Sequence, residues 1–179
     1  YTKNPDGTFS PKTPGVYSTL IKNQDNSFML IDKNQDVCVF NSAGKLTSLI
    51  DKNGNEVSLR YDEANRLSKI VDPSGRETIL AYDVNNRLSS IIDPIDRTTS
   101  FQYNTNNLLS SIRDPQENET SYTYGDQFRI TNITKNGIER QSIRYDFQGR
   151  AEVVYDGEGN PTTYTYQPAS SRTLIQDAR

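Results

Sequence analysis

The sequence predicts an all-β fold of tandem 21-residue β-hairpins, joined into a curved antiparallel ribbon. Three observations carry this. First, Phe40, Tyr61, Tyr82, Tyr103, Tyr124, Tyr145 and Tyr166 are each separated by 21 residues. Second, other columns keep the same period. Leu46, Leu67, Leu88, Leu109 and Ile130 follow the rings by six residues, with Ala151 the exception. Leu49, Ile70, Ile91, Ile112, Ile133 and Val154 follow by nine, and Asp51, Asp72, Asp93, Asp114 and Asp156 by eleven, with Lys135 breaking that column. Third, turn residues and strict alternation divide each period into two short strands.

Composition sets the outer bounds. A chain of 179 residues holds one domain, and only 32% of it is hydrophobic, with no Trp. That is thin for a compact globule and suits sheets with one buried and one wet face. The net charge is −3, with Lys and Arg scattered singly, so neither nucleic acid nor an anionic membrane is an expected partner. No apolar run approaches the ~20 residues that span a bilayer. The lack of His removes the commonest general base and metal ligand. Cys38, within "DVCVF", reads as a small buried hydrophobe. The chain starts with Tyr and shows no signal peptide, which reads as a piece of a longer protein.

Taken in order, residues 1–16 carry three Pro and two Gly and read as an N-terminal arm or linker. Residues 17–39 read as irregular entry hairpins, "YSTLI" and "SFMLI" around "KNQDN", followed by a turn at "DKNQD". The regular array occupies 40–179. Within it, "DPSG" (Asp72, Pro73, Ser74, Gly75) has the residue order of a type I turn. A second turn follows each ring and ends in Gly44, Asn65, Asn86, Asn107 or Gly149, the residues that best tolerate positive φ.

The return strands alternate cleanly, as in Thr78, Leu80, Tyr82 against Glu77, Ile79, Ala81. The outgoing strands do not. Leu67 and Ile70 are three apart, which a flat strand sends to opposite faces; a bulge or strong twist would reconcile them. A leucine-rich repeat is excluded because its Leu-x-Leu-x-x-Asn continuation is missing and Asp-Pro occupies the helical span.

The repeat from Tyr124 departs most. Phe128 stands where the others have Asn or Gly, and "TKNG" comes one residue early, so a re-routed turn is expected. The last hairpin is truncated after Ile175 and Asp177, leaving an edge at which a fragment would self-associate. A lone hairpin of this size is not independently stable, so the partners of each repeat must be its neighbours.

These columns resemble the Tyr-Asp (YD) repeats of the Rhs family. The match runs through Tyr61-Asp62, Arg66-Leu67, Ile70, Asp72-Pro73 and Gly75-Arg76, and its first half recurs in Tyr145-Asp146 and Gly149-Arg150. The resemblance implies a β-spiral shell fragment of a secreted or cell-surface protein. In bacterial members such a shell holds a toxic C-terminal effector domain, and in the animal teneurins it belongs to an adhesion receptor. The family's shell-closing motif and cleavage site are not present here, so no functional residue transfers.

The residues themselves offer little chemistry. Asp51, Asp72, Asp93 and Asp114 recur where turns need them, and "DKNGNE" and "DGEGN" lack the ligand spacing of a calcium loop. No cofactor, metal or catalytic residue is expected. The aromatic column, with Leu67, Ile70, Asp72, Pro73 and Gly75, is expected to be structural. The alternative is a glycan- or protein-binding adhesion surface, with Tyr82 and Tyr103 contacting sugar rings or cell wall.

Overall fold

The computed structural model describes residues 1–178. They form 18 strands and two short 3₁₀ turns, and every pairing described below is antiparallel. The chain divides into two compact units. One comprises 1–81 with 91–96, the other 82–90 with 97–179.

The first unit is a ladder of strands in chain order. β1 (Thr2–Lys3), β2 (Phe9–Ser10), β3 (Ser18–Lys22), β4 (Phe28–Asp32) and β5 (Val37–Phe40) form its entry. β6 (Leu46–Ile50), β7 (Glu56–Tyr61), β8 (Leu67–Val71) and β9 (Glu77–Tyr82) follow. Asn4 and Thr8 close a turn of the same design as the later ones, and Phe9 pairs with Leu20.

β10 (Leu88–Ile92) spans the division between the units. The second unit continues with β11 (Thr98–Tyr103), β12 (Leu109–Arg113), β13 (Glu119–Tyr124) and β14 (Ile130–Lys135). β15 (Ile138–Tyr145), β16 (Ala151–Asp156), β17 (Pro161–Gln167) and β18 (Arg172–Asp177) complete it.

A bulge resolves the odd spacing of the outgoing strands. Tyr61 pairs with Leu67, but Arg60 pairs with Lys69, so Ser68 is the extra residue. Leu59 then lies opposite Ile70, and Leu67, Ile70, Leu59 and Tyr61 share one face. The same shift recurs where Phe40 meets Leu46, Tyr103 meets Leu109, Tyr124 meets Ile130 and Tyr145 meets Ala151. Thr47, Ser68 and Thr131 sit at the bulge and donate their hydroxyls to the carbonyls of Val39, Arg60 and Thr123, each at 3.3 Å. The bulge thus carries its own polar partner.

The two kinds of turn read from sequence are one. In both, the residue at the first position donates its N–H to the carbonyl four residues on and accepts the N–H from three residues on, as in Asp62 with Arg66 and Asn65, and Asp72 with Arg76 and Gly75. The residue at the fourth position has positive φ: Asn65 at 64°, Gly75 at 79°. Asp96 and Glu117 occupy that position in "DPID" and "DPQE", at 61° and 66°, with no Gly or Asn to ease it.

The repeat from Tyr124 is re-routed as its sequence suggests. Asn136 and Gly137, at φ 52° and 76°, form a two-residue hairpin loop between Lys135 and Ile138. A compensating bulge at Arg140 restores the pairing of Ile133 with Gln141. Asn136 also reaches the previous strand, donating its N–H to the Glu119 carbonyl and accepting the Glu119 N–H on its side-chain oxygen. In the last hairpin, by contrast, a Pro-Ala-Ser-Ser loop replaces the Tyr-Asp turn, and β17 pairs with β18 without a bulge.

Composition predicts one buried sheet face, and here the structure differs. Among the described residues no apolar side chain is buried, and Ser111 alone falls to 6% exposure. Cys38, expected to be buried, is half-buried between Leu30 and Leu49. The reason lies in the packing: among the described residues, each strand packs edge to edge against its chain neighbours.

Candidate functional site

The aromatic column is the feature the sequence singles out most strongly, and each ring is held in one repeated way. The phenolic hydroxyl of Tyr61 donates to the carbonyl of Leu46 at 2.7 Å. Tyr103 does the same to Leu88, Tyr124 to Leu109, Tyr145 to Ile130 and Tyr166 to Ala151, at 2.7 to 2.9 Å. The acceptor lies fifteen positions earlier, and at Leu46, Leu109, Ile130 and Ala151 it is the residue that opens the bulge. Each ring therefore ties its repeat to the one before. Tyr82 is also partnered, and Phe40, which has no hydroxyl, pairs with Phe28 and Leu46. Burial, and then the neighbouring Tyr122, raise the Tyr124 phenol above its ordinary range.

A cation covers the ring from the preceding repeat. Lys45 lies 4.8 Å from the Tyr61 centroid, Arg87 4.4 Å from Tyr103, Arg129 5.7 Å from Tyr145 and Arg150 4.1 Å from Tyr166. The guanidinium is aimed by the aspartate beside the previous ring. Arg66 bridges Asp62, Arg87 bridges Asp83 and Arg150 bridges Asp146, each at 2.7 Å. This links the Tyr-Asp and Arg-Leu halves of the motif physically. The cation role was not read from sequence, yet Lys45, Arg66, Arg87, Arg129 and Arg150 form a 21-residue column of their own, with Leu108 the exception.

The aspartates also organise their turns. The Asp83 carboxylate accepts the N–H groups of Asn85 and Arg87 and the Arg87 Nε. Asp72 accepts Ser74 N–H, Arg76 N–H and Arg76 Nε. Pro73 and Gly75 supply the second and fourth positions of that turn. The backbone hydrogen bonds come first among the causes that hold Asp62, Asp72, Asp83 and Asp146 below the usual carboxylate range; for Asp51 and Asp114 the side chains of Asn55 and Asn118 come first. Asp51 spends its oxygens on Asn53 and Asn55. No group of three or more His, Cys, Asp or Glu able to hold a metal occurs among the described residues.

At Tyr103 the hydroxyl bonds the Leu88 carbonyl and Arg87 lies over one ring face, and Tyr82 also has a partner. Leu67 and Ile70 face the same side as Tyr61, while Asp72, Pro73 and Gly75 lie in the turn at the far end of their strand.

Comparison with known proteins places this arrangement. The family model of the teneurin YD-shell matches residues 29–139. A search of curated proteins finds no match. Among solved structures, the Tc holotoxin pore of Photorhabdus luminescens with a mutated TccC3 aligns with a TM-score of 0.62 and 14% identity, over 90% of this chain and 12% of that one. The TcdB2–TccC3–Cdc42 structure aligns at 0.63 and 14%, and TcdB2–TccC3 without its hypervariable C-terminal region at 0.62 and 14%. Both alignments cover 90% of this chain and 12% of the other. The likeness is one of fold, and the chain spans about an eighth of the length of these structures.

Proposed function

The chain belongs to the teneurin YD-shell family and is a structural shell module; from that premise we propose that it is a non-catalytic wall segment of a longer secreted or cell-surface protein. Its β-spiral encloses or presents a C-terminal effector domain. Its partners are the neighbouring repeats and that enclosed domain, with neither nucleic acid nor a membrane involved.

The observation that supports this reading is the repeat-to-repeat lock. A hydroxyl-to-carbonyl bond and a cation over the ring join each hairpin to the one before, so a break at one repeat is a break in the wall. Among the described residues, the groups with shifted values include turn carboxylates, Arg113 and the packed Tyr124, and none of these pairs a nucleophile with a base.

The test uses limited proteolysis of the full-length parent protein. Wild type is expected to protect its C-terminal domain. Replacing Tyr103 and Tyr124 together by Ala is expected to open the wall and expose that domain to cleavage. Equal cleavage in wild type and variant would sink the enclosure reading.

A further inference from the structure

The sequence holds the tripeptide Lys-Asn-Gly twice, as Lys52-Asn53-Gly54 in the turn between β6 and β7 and as Lys135-Asn136-Gly137 in the loop between β14 and β15. An asparagine followed by glycine is open to a spontaneous reaction, because the glycine nitrogen reaches the side-chain carbon with no Cβ in the way. Exposure does not separate the two sites. Both asparagines and both glycines are exposed, and the glycines have positive φ, 83° and 76°. Chain neighbours aside, no atom lies within 4 Å of where either glycine Cβ would stand.

Hydrogen bonds do separate them. Asn136 is tied to the hairpin before it. Its Nδ2 donates to Asn118 Oδ1 at 2.9 Å, its Oδ1 accepts the Glu119 N–H at 2.8 Å, and its own N–H donates to the Glu119 carbonyl at 2.7 Å. Asn118 is itself fixed, donating its Nδ2 to Asp114 at 2.9 Å. Turning the Asn136 side chain toward Gly137 therefore breaks two bonds to a neighbouring hairpin. Asn53 has no such anchor. Its N–H donates to Asp51 Oδ1 at 2.8 Å, and its side chain reaches no further than that same carboxylate. The Gly54 N–H donates to the Asp51 carbonyl at 2.9 Å. That bond withholds the nitrogen only while the turn is closed, and an exposed turn opens locally at little cost. Opening frees nitrogen and side chain together, because every one of these bonds lies within residues 51–54.

We infer that Asn53 is a site of spontaneous covalent modification, and that Asn136, in the same tripeptide, is protected by its side-chain lock. The Gly54 nitrogen gives up its proton and attacks Asn53 Cγ. An N–Cγ bond forms, the Cγ–Nδ2 bond breaks, and ammonia leaves with the proton. Water then opens the cyclic imide at either of its two carbonyls, leaving aspartate or isoaspartate at 53. Isoaspartate carries the main chain through Cγ and so adds one backbone atom between 53 and 54. The bond from Gly54 to the Asp51 carbonyl depends on the ordinary spacing, so the turn that joins β6 to β7 fails in the modified chain. The assignment stands whether or not the shell encloses an effector.

The test ages the folded full chain in mildly alkaline buffer at body temperature and follows both sites by peptide mapping, with isoaspartate scored by isoaspartyl methyltransferase labelling. A parallel sample unfolded in guanidinium gives the rates without the fold. The unfolded chain is expected to convert both sites at similar rates, and the folded chain to convert Asn53 about tenfold faster than Asn136. Asn118→Ala removes one bond of the lock. It is expected to raise the folded rate at Asn136 about fivefold and to leave that at Asn53 unchanged. Asn53→Ser is expected to keep amide-exchange protection in β6 and β7 through the ageing that strips it from wild type. Equal rates at the two sites in the folded chain would overturn the proposal. So would an Asn53 that stays intact in the folded chain while the unfolded one converts, since the turn would then guard it as well as the lock guards Asn136.

Discussion

Asp83 accepts three hydrogen bonds without leaving its own turn, and its partner Arg87 then covers the Tyr103 ring. Asp83→Ala is therefore expected to lower the melting temperature more than Asp83→Asn, which keeps an acceptor for the two N–H groups; thermal unfolding of both variants checks the order. Tyr103→Phe keeps the ring under Arg87 and removes only the bond to the Leu88 carbonyl. A loss of about 1 kcal/mol is expected from chemical denaturation. Glu117 presents the opposite case, an ordinary residue held at φ 66°. Glu117→Gly should stabilise by about 0.5–1 kcal/mol, because relief of left-handed strain exceeds the added chain entropy. A denaturant midpoint below that of wild type would refute this.

At the scale of the hairpin, the bulge decides which side chains meet. Without the extra residue at Ser68, Leu67 would face away from Ile70 and the apolar face would break in every repeat. The irregular repeat makes the dependence testable. Its two-residue loop and the bulge at Arg140 cancel, so the 21-residue period from Tyr124 to Tyr145 survives. Deleting Arg140 should slip the register and strip amide-exchange protection from β14 and β15. Replacing residues 135–139 by Asp-Pro-Ser-Gly-Arg has the same length as the regular turn and should leave that protection intact. Loss of protection in both variants would show that the Asn136 contacts with Glu119, rather than register, hold this hairpin.

Across the whole chain the turn carboxylates act together. Asp51, Asp62, Asp72, Asp83, Asp114 and Asp146 all lie below their ordinary value of 3.8 in the folded state. A group whose folded value is depressed contributes stability above its unfolded value and loses it as pH falls through the folded one. With no His in the chain, the melting temperature should stay level from about pH 8 to 5 and drop below about pH 4. A transition near pH 6 in a thermal scan would contradict this. Much of the architecture is legible in the sequence because a hairpin repeat is specified locally. The 21-residue period, the Asp and Gly or Asn of the turns, and the alternation of Thr78, Leu80 and Tyr82 each depend on residues a few positions apart. What needed the tertiary structure are contacts between repeats. The choice of bulge over twist at Ser68, the Tyr103 hydroxyl on Leu88, Arg87 on the Tyr103 ring and Arg129 on the Tyr145 ring all join residues that the fold, and not the local sequence, brings within reach. A residue's own neighbours dictate its backbone, but only the next strand dictates what its side chain meets.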